Sequence, residues 1–219
     1  MCFSAETSFG AALILGALGA ATLAQRPEPR RIAFASIPLI FAAHQAIEGA
    51  IWLSMPEGGP PQSLILAYLA IALVFWPVFT PFAVLLIERD PRRRIGLGVF
   101  LAAGIALAVI LASVLGANAY SVTLVDGNLR YSTDHVFEER LIGLYVVVTA
   151  APLLLSRHRY VMAFGAAVLA GSFATALAFY HAAASVWCFF AALGSAFVFL
   201  HVRRQKRLRE AHSMPMDLP

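Results

Sequence analysis

The 219-residue chain is 60% hydrophobic and 13% charged, with a mean hydropathy of +0.78, which excludes an ordinary soluble globular domain and places it in a bilayer. Its net charge of +4 does not point to nucleic acid, because the basic residues sit where a membrane topology signal needs them. Two cysteines, Cys2 and Cys188, are too few for a disulfide framework and fit no zinc-finger spacing.

A membrane span needs about 20 apolar residues. Seven such stretches follow in order: Ser8 to Gln25, Ile32 to Met55, Ser63 to Ile87, Ile95 to Gly116, Leu141 to Leu155, Tyr160 to Tyr180 and Ala184 to Val202. The N-terminus lacks the basic region of a secretory signal and runs into a full-length span, so the first helix is expected to stay. Small residues at four-residue spacing, as in Ala12, Gly16 and Ala20 or Ala163, Ala167 and Gly171, predict close helix packing. Pro38, Pro77, Pro81 and Pro152 each remove a backbone donor and predict bends.

Loop charge orients the spans. Of the 16 lysines and arginines, all but Arg130 and Arg140 follow spans one, three, five or seven. The positive-inside rule makes that side cytoplasmic, with an external N-terminus and a cytoplasmic basic tail over 202–219 suited to anionic lipid. The expectation is therefore a single all-α domain over 1–219, a seven-helix transmembrane bundle in the cytoplasmic membrane. Between helices four and five, Ser121 to Val125 and Asn128 to Ser132 alternate around Asp126-Gly127, which predicts an external β-hairpin over the outer mouth. His135 and Glu139 follow it, four residues apart.

Glu48 is the one acid well inside an apolar span, and a carboxylate there should face the bundle interior with partners. His44, Glu48 and Trp52, four apart, share a helix face, and Glu48 lies about 10 Å below the outer helix end. Cys2, His181 and Cys188 are expected at a similar depth. Two readings of this set stay open. In one, His44, Glu48, His181, Cys188 and Cys2 include the ligands of a zinc or copper ion. In the other, Glu48 hydrogen-bonds a tyrosine such as Tyr68 or Tyr180 and His44 is a neutral packing donor. Cys2 and Cys188 would alternatively bridge or stand unpaired as small hydrophobes, and Trp52 and Trp187 anchor the interface. His158 and His201 are expected at the cytoplasmic interface. No span carries a lysine, and one buried acid without a buried arginine argues against a proton relay.

The opening Met1-Cys2-Phe3-Ser4-Ala5, Glu48-Gly49 with Trp52, and Trp187-Cys188-Phe189 resemble a bacterial family of multispanning membrane proteins with no assigned activity. The resemblance implies a bacterial inner-membrane location, and that Gln can replace His44. In helix count the chain is also similar to the seven-helix zinc amide hydrolases related to alkaline ceramidase. It lacks their paired histidines, having Ala184 to Cys188 where a His-x-x-x-His would fall.

Three functions follow as expectations. The first is binding of a small ligand, lipid or metal in an outer-leaflet cavity lined by Glu48, His44, Trp52, Tyr68 and Trp187. The second is a metal-dependent hydrolase acting on a lipid. The third is a transporter or channel, for which Thr80, Ser172 and Thr175 are the only inner-half polar groups proposed.

Overall fold

Helix α1 (Ala5–Leu23) starts where Ser4 turns its hydroxyl back on the chain, accepting from the Thr7 amide at 3.3 Å, so the opening pentapeptide ends in an N-cap. A computed structural model describes residues 4–125, 127–131, 139–178, 192 and 194–213. The second apolar stretch is broken at Ser36 into α2 (Ile32–Ala35), preceded by a 3-10 turn over Pro29–Arg31, and α3 (Ile37–Ser54). Pro38 falls in the first turn of α3, where its missing N–H is harmless.

The third stretch consists of α4 (Gln62–Leu69), a π-helical turn over Ala70–Phe75, and α5 (Trp76–Ile87). Helix α6 (Pro91–Ala117) begins with Asp90 as N-cap, its carboxylate accepting from the Arg92 amide at 2.9 Å, and Pro91 as first residue. Strands β1 (Val122–Val125) and β2 (Asn128–Tyr131) pair antiparallel, Val122 against Tyr131 and Val125 against Asn128. Gly127 takes a φ of +73°, which such a short connection requires. The hairpin is present as the Asp-Gly signal predicts. Helices α7 (Glu139–Leu154), α8 (Arg159–Ala178) and α9 (Ala196–Ser213) follow among the described residues.

The basic residues Arg203 to Arg209 lie on the last helix. Among the described residues, four segments are long and apolar enough to cross a membrane: Ala5–Leu23, Pro29–Ser54, Gln62–Ile87 and Pro91–Ala117. Their unburied faces carry Leu13, Ile14, Ile95, Val99 and Val109, each more than 60% exposed. Such apolar stripes suit lipid.

The helices close into a ring. Helix α1 packs along α3 and α9, α9 meets α8, α8 meets α7, and α5 bridges α7, α6 and α2. Helices α8, α9, α1 and α3 are therefore successive neighbours. Glycines set the closest approaches: a Cβ on Gly49 would come within 2.9 Å of the Phe9 ring, and one on Gly19 within 2.6 Å of the Leu39 side chain. Two apolar layers fill the ring. The layer nearer the arginine-rich loops contains Phe34, Phe41, Trp76, Val84 and Phe164. The layer at the hairpin end contains Ile51, Tyr68, Leu107, Leu111, Leu129 and Tyr131. Leu129 and Tyr131 are buried in it, so the hairpin is seated on the bundle.

Candidate functional site

Glu48 sits where the two layers meet, fully buried, as are His44 and Tyr68. Its carboxylate accepts from the Gln45 amide at 3.2 Å on Oε2 and from the Tyr68 hydroxyl at 3.3 Å on Oε1. Gln45 reaches it from one helical turn before, and Tyr68 from α4. The Glu48–Tyr68 bond is one of the two alternatives that the sequence leaves open.

His44 is oriented by a second bond to the same residue. Its Nε2 lies 3.2 Å from the Tyr68 carbonyl oxygen. A carbonyl only accepts, so Nε2 carries the proton. Nδ1 is then a lone pair, buried and without a hydrogen-bond partner among the described residues. The Trp52 indole N–H, one turn beyond Glu48 on the same face, is also buried and unpartnered among them.

Aromatic rings tie the site to both layers. The His44 and Tyr68 rings stack at 4.3 Å, and Tyr68 stacks on Tyr131 of the hairpin at 4.6 Å with only 4° between planes. Below His44, Phe41 stacks on Trp76 at 4.4 Å.

The π turn accounts for how α4 and α5 reach this position. A π turn pairs a carbonyl with the amide five residues on; five beyond Ala72 is Pro77, which has no N–H. The Tyr145 hydroxyl donates to the Ala72 carbonyl instead, at 2.5 Å. Gly104 of α6 lies against the Pro77 carbonyl so closely that any Cβ there would collide with it.

A second polar cluster closes the other end. Arg31 is buried, and its Nη1 lies 3.2 Å from His201 Nε2 while its Nε reaches Glu28 at 3.4 Å. The His158 ring stands 4.9 Å from His201, which also meets Phe34 edge-on at 5.6 Å. Burial first, then the Arg31 charge, holds the His158 imidazole below its ordinary value. His201 is 2% exposed, and Arg31, just before the second apolar stretch, 7%. Helix α9 carries His201 into a contact with α2.

Of the residues the sequence proposes for a site, His44, Glu48, Trp52 and Tyr68 come together. Cys2, His181, Trp187 and Cys188 lie outside the described residues, as do Tyr180 and His135. Among the described residues no three His, Cys, Asp or Glu side chains gather as a metal set. Gln45 and Tyr131 were not anticipated. Gln45, three residues before Glu48, carries a usable signal as an amide beside a buried acid, whereas Tyr131 is 83 positions away from Glu48 in the chain and carries none.

The fold and this site define a helical bundle with several membrane-capable helices and an acid–amide–phenol network sealed between two apolar layers. The chain belongs to a family of unknown function, DUF6629, whose model matches residues 1–213. No curated protein and no solved structure matches it.

Proposed function

We propose that the chain is a seven-span protein of the bacterial cytoplasmic membrane, N-terminus outside and C-terminus cytoplasmic, that binds a small polar ligand or lipid headgroup in its outer half around Glu48. The one-sided arginines support the orientation. One observation carries the binding reading: the His44 Nδ1 lone pair and the Trp52 N–H share the Glu48 face, buried and unpartnered among the described residues. Each such group costs about 1–3 kcal/mol. A ligand offering a donor to His44 and an acceptor to Trp52 recovers that cost, and the carboxylate selects for further donors or positive charge. The exposed arginines of α9 serve as an anionic-lipid contact.

Mass spectrometry of what the detergent-purified full chain carries tests this. A stoichiometric small molecule released from the wild type, and lost from monodisperse His44→Leu and Trp52→Phe variants, is the expected result. A wild type that releases nothing, with His44→Leu more heat-stable than wild type, overturns it.

A second reading, a metal-dependent hydrolase acting on a lipid, is favoured by the His44 Nε2–H bond to the Tyr68 carbonyl. Metal-binding imidazoles are oriented in that way, leaving Nδ1 for the ion. Glu48 would be the second ligand or the general base, and Cys2, His181 and Cys188 the source of the others. Stoichiometric zinc or copper, lost in Glu48→Gln, distinguishes this reading; metal-free active protein removes it. For a transporter, Ser172 offers little, since its hydroxyl donates to the Val168 carbonyl of its own helix at 3.0 Å.

A further inference from the structure

At the arginine-rich end, an open cleft of about 600 Å³ is lined by Arg30, Leu86, Glu88, Arg89 and Arg94. Three cations face one carboxylate, and that carboxylate is turned into its own loop: Glu88 Oε1 accepts from the Arg89 and Asp90 amides at 2.8 and 3.0 Å. Arg94 is held in place, its Nη1 donating to the Leu85 carbonyl at 2.9 Å and the Glu88 carbonyl at 3.2 Å. Arg89 is 73% exposed and only 3.6 Å from Glu28, a weak pair. Arg30 makes no hydrogen bond or ion pair among the described residues, so it adds charge to the cleft without holding the fold together. Leu86, in the last turn of α5, supplies an apolar wall to the cleft.

We infer that this cleft, formed by Arg30, Arg89 and Arg94 around Leu86, is a binding site for a phosphate monoanion or diester, most simply the headgroup of an acidic phospholipid. Guanidinium groups match phosphate oxygens in geometry as well as charge. One fixed arginine, two adjustable ones and an apolar wall are what a molecule with a charged head and a hydrocarbon tail requires. The inference needs only that this end of α5 lies at a membrane surface, and it is independent of the Glu48 site.

Its test is binding of phosphatidylglycerol and phosphatidylcholine to the full chain in detergent, followed by native mass spectrometry. Wild type is expected to retain phosphatidylglycerol in preference. Arg30→Ala and Arg89→Ala should each weaken it about fivefold, in line with one basic residue at an anionic surface, and Arg30→Lys should restore most of the loss. Arg130→Ala, on strand β2 at the opposite end of the bundle, should leave it unchanged. Inorganic phosphate at fixed ionic strength separates the two sources: displacement of the lipid assigns the cleft to soluble phosphate, and failure to displace assigns it to the headgroup. Equal retention of the two lipids by wild type, or undiminished phosphatidylglycerol binding in both alanine variants, overturns the inference.

Discussion

The guanidinium of Arg31 reaches Nε2 of His201 at 3.2 Å, across 170 positions of sequence, and ties the start of the second span to α9. A guanidinium only donates, so His201 accepts and is neutral in this arrangement. Around the pair stand His158, Glu28, Glu88, Arg89 and Arg204.

The cluster makes stability depend on pH, and His158 sets the sign. Its folded value lies below the ordinary one of about 6.5. The unfolded chain therefore binds the proton first, and stability is complete above about pH 6.5 and declines as pH falls below it. Thermal unfolding in detergent between pH 8 and pH 5, taken as about the range over which histidine titrates, should show a flat upper limb and a falling lower one. His158→Gln should lessen the fall, His201 accounting for part of what is left. A midpoint that rises on acidification would contradict this assignment.

Removing one hydroxyl tests the buried carboxylate. Tyr68→Phe keeps the ring stack with His44 and Tyr131 and deletes the donor to Glu48. The expected cost is about 1–3 kcal/mol, read as a lowered unfolding temperature. Tyr160→Phe, whose hydroxyl meets only Arg159 at the surface, should cost little.

Tyr145 and Pro77 should be coupled. Tyr145→Phe leaves the Ala72 carbonyl without its donor and should cost about 1–3 kcal/mol. Pro77→Ala restores a backbone N–H in the same turn. The double variant should therefore be more stable than the sum of the singles predicts, by about 0.5 kcal/mol or more. Strict additivity would show that the hydroxyl and the proline do not share that carbonyl.

Gly104 and Gly116 of α6 make opposite predictions from one substitution. Alanine at 104 collides with the Pro77 carbonyl, a backbone atom that cannot move aside, whereas nothing lies within 4 Å of a Cβ at 116. Gly104→Ala should cost about 1–3 kcal/mol or more, and Gly116→Ala should gain about 0.5–1 kcal/mol from helix propensity. Parallel melts of the two proteins check the contrast.

The helices were legible because apolar runs of bilayer length leave few alternatives, and the hairpin because Asp126-Gly127 interrupts two alternating strands. Glu48 was legible for the same reason in reverse, as a charge where charge is costly. Its neighbours divide by distance. His44 and Trp52 follow from helical spacing, but Tyr131 reaches the site through the docking of a hairpin that no local pattern specifies. The π turn was hidden because Pro77 and Pro81 predict a bend without stating which carbonyl is left open. The contact of Arg31 with His201, 170 positions apart, was hidden because no local pattern specifies which helix end meets which loop.

The stacked rings of His44, Tyr68 and Tyr131 give the hairpin a consequence beyond covering the bundle. Strand β2 touches, through a single intervening phenol, the imidazole at the heart of the bundle. A spectroscopic label on the solvent side of β1, at Thr123, would report from the hairpin on whether that interior is filled or empty.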